Sequence, residues 1–152
     1  MLHNLRYVGE ITDPAMLAAA VLHDLVEVGS ATVAQIESRF GPEVAGLVAE
    51  LTRREPTADE TKDLTRDQIR DLRAEILRLE ILHMSPPAQI IKLADRLSNL
   101  REGRRTKTPK AFQRYVKYTL AILEGLPPGM NTKLYEAILR ECQVQVGKKR
   151  KA

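Results

Sequence analysis

The chain has 152 residues, of which 43% are hydrophobic and 29% charged, and its formal net charge is +4. These values fit one globular domain that buries roughly 70% of the surface of its unfolded chain. There is no run of eighteen apolar residues and no leader-peptide pattern, so we expect neither a membrane span nor secretion. The single cysteine, Cys142, has no partner for an internal disulfide, which is typical of a cytoplasmic protein.

Helix signals follow one another along the chain, and no alternating pattern typical of strands interrupts them. Asp13-Pro14 is a typical helix start, and Thr32 with Gln35 forms a capping box at the next one. Apolar residues at helical spacing mark the later helices. The sequence therefore predicts an all-α fold, a bundle of about seven helices. The predicted helices lie near 13–29, 32–40, 42–51, 69–79, 85–100, 112–125 and 134–142.

The sequence also predicts the extent of the domain, two exposed loops and a C-terminal tail. Residues 1–146 are expected to form one domain, with exposed loops at 53–65 and 101–110. Residues 147–152 are expected to form a basic, disordered tail. The tail and the basic loop leave a helical nucleic-acid binder as one hypothesis, but specific nucleic-acid binding is not indicated.

The first helix carries polar residues where burial is expected. The segment from Ala15 to Val28 is apolar on nearly every face, which predicts a helix central to the bundle. His23, Asp24 and Glu27 are its strongly polar members, and helical spacing brings Glu27 to the side that the other two share. Polar residues at a helix end exposed to water are the ordinary alternative.

A second polar group lies in the helix that starts near Pro86. Lys92, Asp95 and Asn99 share one face, and their neighbours are almost all apolar. A surface ion pair between Asp95 and Arg96 or Lys92 is the ordinary alternative.

The two groups together offer one imidazole and two carboxylates from helices that are expected to be buried. A buried carboxylate is costly unless it is paired, and a divalent metal would supply that partner. This donor mixture suits an octahedral Mn²⁺, Fe²⁺ or Mg²⁺ better than a structural zinc.

Three segments in this order, 18–27, 40–45 and 91–101, resemble the HD-superfamily hydrolase domain of the Rel/SpoT enzymes. The likeness is greater to the short, single-domain version typified by the metazoan SpoT homologue, a small alarmone hydrolase. It covers residues from about Gly9 to Leu126. The resemblance implies an all-α fold, Mn²⁺ as the usual metal, and removal of the 3′-pyrophosphate from ppGpp, the alarmone of the stringent response.

The resemblance also implies roles for individual residues. His23, Asp24 and Asp95 match three of four metal ligands, and Glu27 matches a residue that assists the attacking water. Asn99 and Tyr115 match residues at the nucleotide. Several basic residues are further candidates for neutralising the polyphosphate. These are Lys92, Arg101, Arg104, Arg105 and Lys107.

The sequence departs from the family pattern before Gly9 and at Val28, and these departures leave two functional hypotheses open. The family's first histidine ligand lies on a helix before Gly9, and His3 would be displaced from that position by about 9 Å. We therefore expect that helix to be absent from this sequence and an apolar face over 15–25 to be left uncovered, which suggests a homodimer or altered packing. Val28 stands where an aspartate should follow Glu27. An impaired HD domain that binds a nucleotide or a partner thus remains the alternative to an active hydrolase of guanine nucleotide polyphosphates.

Overall fold

The computed structural model describes the backbone of residues 1–148 and the side chains of residues 1–143. Within that range the chain forms helices and no strand, which confirms the all-α prediction. A short π-helix spans Asn4–Val8. The α-helices are α1 Pro14–Glu27, α2 Val33–Phe40, α3 Pro42–Leu51, α4 Ala58–Thr61, α5 Arg66–His83, α6 Pro86–Thr106, α7 Pro109–Gly125 and α8 Thr132–Lys148.

Side-chain caps start at least five of these α-helices, and the sequence predicts two of them, those of α1 and α2. The Asp13 carboxylate accepts a hydrogen bond from the backbone N–H of Met16 at 2.8 Å, which satisfies an N–H group that α1 leaves unpaired. Thr32 and Gln35 form the predicted capping box. Gly41 precedes α3 with a φ of 87°, a conformation that favours glycine.

α6 is the central helix of the bundle. Ten of its 21 residues are buried, and it contacts α1, α3, α5, α7, α8 and the π-helix. Asn4 of the π-helix donates a hydrogen bond to Ser98 Oγ at 2.7 Å, which fixes the start of the chain against α6. A polar residue on α6 can therefore be enclosed from several sides.

α1 is not central, so that prediction was wrong. Ala19 and Ala20 are fully buried, but Val21 is 53% exposed and Leu25 also faces solvent. Met16 and the two alanines pack against neighbouring helices, while Val21 and Leu25 lie on the uncovered side. The expected uncovered apolar face over 15–25 is therefore present on part of α1.

Both predicted loops contain helical residues. The 53–65 segment includes α4, whose start is capped by Thr57 and Glu60. Residues 101–106 continue α6, so the loop predicted there was wrong. Buried Gly103 and the ion pairs of Arg101 and Arg104 with Glu141 of α8 hold this extension in the fold.

No described helix is both long enough and apolar enough to cross a membrane. The side chains of the predicted tail, 147–152, lie outside the described residues, as does the backbone of 149–152.

Candidate active site

A polar cavity of about 350 Å³ opens where α1, α5, α6 and α7 meet. Seven of the eleven residues that the sequence singles out as candidates for the metal, the chemistry or the substrate line it. They are His23, Asp24, Glu27, Lys92, Asp95, Asn99 and Tyr115. The fold thus brings together polar residues that are more than seventy positions apart along the chain.

His23 is the most enclosed donor in the cavity, with 3% of its surface exposed. Its Nδ1 lies 3.1 Å from the backbone oxygen of Ala20, and a carbonyl oxygen can only accept a hydrogen bond. Nδ1 therefore carries a hydrogen, which leaves Nε2 to face the carboxylate of Asp24 at 3.1 Å. The mostly exposed Asp24 side chain extends toward the open side of the cavity.

Lys92 is a buried ammonium surrounded by carboxylates. It is 6% exposed, and its Nζ lies 4.0 Å from Glu27 Oε1. Burial lowers the pKa of Lys92, because removing the ammonium from water disfavours its charged form. Asp95, Glu27 and Asp24 oppose that shift through their negative charge. The three carboxylates are therefore close enough to act on one side chain.

Asp95 and Asn99 are linked along one face of α6. Asn99 Nδ2 donates to Asp95 Oδ2 at 3.1 Å, which holds one carboxylate oxygen in place. Tyr115 lies nearby on α7, and its hydroxyl is buried with no hydrogen-bond partner among the described residues. Burial raises the pKa of Tyr115, so its hydroxyl keeps its proton as a donor at neutral pH.

The donor atoms of this cavity fit a hard divalent cation. If Nε2 of neutral His23 faces the Asp24 carboxylate, the two lone pairs repel each other unless a proton or a cation lies between them. Asp95 adds a second carboxylate to the same space. Among the described residues, however, no group of three or more His, Cys, Asp or Glu side chains is gathered closely enough to hold a metal ion. The cavity thus contains the types of donor atom that a divalent cation prefers, but the described residues do not gather three of them around one point.

The other four candidates do not line the cavity: Arg101, Arg104, Arg105 and Lys107. Arg101 has other partners. Its guanidinium donates to Asn4 Oδ1 at 2.6 Å and to Glu141 Oε1 at 3.2 Å. It therefore joins α6 to the π-helix and to α8. His3 is likewise apart from the cavity, in a groove formed with residues such as Tyr7 and Leu17.

Two arginines of the cavity were missed from the sequence. Arg96 follows Lys92 by one helical turn, and this i, i+4 spacing was the available signal. Arg53 comes from the segment after α3 that was expected to be an exposed loop. Arg53 reaches the cavity because of the path that this segment takes in the fold, and the sequence gives no signal for that path.

Comparison with known proteins gives a family match over most of the chain. Residues 1–126 match the HD domain family. Human guanosine-3′,5′-bis(diphosphate) 3′-pyrophosphohydrolase MESH1 is 36% identical over 84% of this chain and 67% of its own length. The fruit fly protein of the same name is 40% identical over 60% of this chain and 45% of its own length. The chain thus spans about two thirds of the human relative.

Solved structures agree with the family match. The structure of a metazoan orthologue of SpoT that hydrolyses ppGpp superposes with a TM-score of 0.76 at 31% identity, covering 96% of this chain and 77% of that one. A Listeria monocytogenes protein superposes with a TM-score of 0.67 at 22% identity, covering 96% of this chain and 90% of its own, which shows a shared fold.

Proposed function

The chain belongs to the HD-domain family, and we propose that it is a hydrolase that removes the 3′-pyrophosphate from guanosine 3′,5′-bis(diphosphate), ppGpp. The observation that carries the proposal is the convergence of His23, Asp24, Glu27 and Asp95 on one cavity. The names of the relatives and of the structural neighbour support this substrate.

HD-domain hydrolases depend on a metal, and in this chain His23, Asp24 and Asp95 would hold it. We propose Mn²⁺, with Fe²⁺ or Mg²⁺ as alternatives, because imidazole with carboxylates suits these ions. A divalent ion bound there would supply an activated water and polarise a phosphoryl oxygen.

The other cavity residues would handle the proton and the substrate. Glu27 would accept a proton from the attacking water, and Lys92 beside it would stabilise the negative charge that develops on the attacking oxygen. Asn99 and the buried Tyr115 hydroxyl can each donate to the nucleotide. Arg101 remains a predicted substrate contact, although its present partners are Asn4 and Glu141.

The decisive experiment is a pyrophosphate-release assay with ppGpp and Mn²⁺ on the wild type and on Asp95→Asn. We expect release by the wild type and none by the variant, together with a lower metal content of the purified variant. Asp59→Asn, an exposed aspartate on α4, is the matched control and should behave as the wild type. Full activity of Asp95→Asn would contradict the proposed ligand set.

A second candidate is an impaired HD domain that binds a nucleotide or a protein partner without turnover. Two observations favour it: Val28 is an exposed apolar residue next to Glu27, and no closed ligand set of three is formed among the described residues. The same assay separates the candidates, because this one requires nucleotide binding with no pyrophosphate release by the wild type.

Location and assembly remain predictions. The lone cysteine favours the cytoplasm, and the exposed stripe that includes Val21, Leu25 and Val28 favours a homodimer. A mass measurement in solution tests the dimer.

A further inference from the structure

A second and larger cavity, about 620 Å³, lies beside the candidate active site between α5 and α7. We refer to it as the basic cleft. Seven of its fourteen lining residues are lysine or arginine, and Asp67 is the one acidic residue among them. Arg53, Leu77, Arg96 and Tyr115 line both cavities, so the two spaces adjoin each other.

The charges of the basic cleft are only partly compensated. Arg70 and Arg114 share the carboxylate of Asp67, at 2.6 and 3.2 Å. Arg53 and Arg73 in the same way share Glu55, at 3.4 and 2.8 Å. The three other cations form no ion pair among the described residues. These are Arg96, Lys107 and Lys110.

Arg96 stands at the junction of the two cavities. It is only 7% exposed, its Nε has no hydrogen-bond partner among the described residues, and its guanidinium carbon lies 4.5 Å from the centre of the Tyr115 ring. Stacking on Tyr115 fixes the guanidinium plane but does not neutralise its charge. A buried cation without a counter-ion is costly, and a bound anion would relieve that cost.

The start of α7 adds to the attraction for anions. Thr108, Lys110 and Ala111 line the basic cleft, so the first turn of this 17-residue helix lies against it. The N-terminal end of a helix carries partial positive charge and favours phosphate groups. The helix end and Arg96 therefore act on the same space.

We propose that the basic cleft binds a second phosphorylated group of the substrate while the bond to be cleaved lies in the candidate active site. Arg96, Lys110 and Arg114 are the residues assigned to this group. The proposal rests on the proposed function and gives it a specificity: nucleotides phosphorylated at two positions bind better than those phosphorylated at one. For ppGpp, the second group is the 5′-diphosphate.

The first test measures binding without catalysis. Inorganic pyrophosphate is titrated by calorimetry into metal-free wild type and into the double variant Lys110→Ala/Arg114→Ala. We expect about a tenfold or greater loss of affinity, because each lost contact is a charge-assisted hydrogen bond. Lys117→Ala/Lys133→Ala removes the same charge outside the basic cleft and should retain the wild-type affinity. Equal affinity of all three proteins would overturn the proposal.

The second test measures specificity. For ppGpp, the double variant at Lys110 and Arg114 should raise KM about tenfold and leave kcat nearly unchanged, because the lost contacts lie away from the cleaved bond. For guanosine 3′-diphosphate, which lacks the 5′ group, its KM should match the wild type. Equal losses for both nucleotides would contradict a subsite for the second group.

The proposed hydrolase activity and the proposed anion subsite can be refuted independently of each other. Absence of pyrophosphate release by the wild type would refute the proposed hydrolase, whereas loss of pyrophosphate binding in the double variant would still support the anion subsite.

Discussion

The candidate active site and the basic cleft are neighbours with opposite construction. The active site takes its polar groups from α1 and α6, where His23 and Lys92 are almost wholly enclosed. The basic cleft takes its cations largely from the outer sides of α5 and α7, where Arg70 and Arg73 are more than half exposed. His23 and Lys92 in the active site are thus fixed by the core, although Asp24 is mostly exposed. The cations of the basic cleft lie nearer the surface, except for buried Arg96 at the junction of the two cavities.

This difference has an energetic consequence. Packing around α6 restricts the side chains at the active site, and positioning of this kind lowers the cost of reaching a reactive geometry. The exposed arginines of the basic cleft are held by surface ion pairs, which contribute little to stability. We therefore expect substitutions around the active site to affect catalysis and core stability, and substitutions in the basic cleft to affect substrate affinity.

The largest expected effect concerns Glu27, which tests whether chemistry belongs to the enclosed region. Glu27→Gln keeps the shape of the side chain but removes its capacity to accept a proton. We expect kcat for ppGpp to fall roughly 10²–10⁴-fold, as for loss of a general base. Steady-state kinetics measure this, with the affinity for pyrophosphate in the basic cleft unchanged.

Glu43→Gln on α3 is the matched control, because Glu43 is exposed and lies outside both cavities. A kcat within twofold of the wild type for Glu27→Gln would assign the proton transfer to another group and break the comparison.

The enclosed region was largely predictable from the sequence. His23, Asp24 and Asp95 interrupt apolar helical patterns, and a polar residue in such a pattern indicates a site on a buried helix. Arg101 shows where this reasoning fails. Because α6 continues through residues 101–106, Arg101 lies six residues, or about 240° around the helix, from Asp95 and faces α8.

The basic cleft was not predictable in the same way. Arg70 and Arg73 occupy exposed positions and Arg114 a half-buried position on the polar sides of amphipathic helices, where charged residues need no explanation. Their grouping depends on the packing of α5 against α7, residues more than forty positions apart. Helical periodicity says which side of a helix is polar, but it does not say which polar sides meet.

A stability measurement sharpens the same comparison with an intermediate effect. Leu97 is fully buried on α6, beside Arg96. Leu97→Ala should lower the free energy of unfolding by about 2–5 kcal/mol, through lost burial and the cavity left behind. Arg70→Ala in the basic cleft should lower it by less than about 1 kcal/mol, because its ion pair with Asp67 is exposed.

Urea denaturation monitored by circular dichroism at 222 nm measures both variants. A loss for Arg70→Ala as large as that for Leu97→Ala would show that the basic cleft is part of the stabilising core.

The smallest expected effect concerns the wall of the basic cleft, where the Tyr118 hydroxyl donates a hydrogen bond to Asp71 and joins α7 to α5. Burial and this bond raise the pKa of Tyr118 from 10.0 to about 12. Because the folded state holds the proton more tightly, the stabilisation is complete below pH 10 and is lost as pH rises through 12.

Tyr118→Phe should therefore lose less than about 1 kcal/mol of unfolding free energy at pH 8 and show a weaker decline of stability above pH 10. Urea denaturation across this range measures the decline, with Tyr7→Phe as control, because Tyr7 is an exposed residue of the π-helix. An unchanged decline in Tyr118→Phe would mean that the bond does not join the two walls in solution.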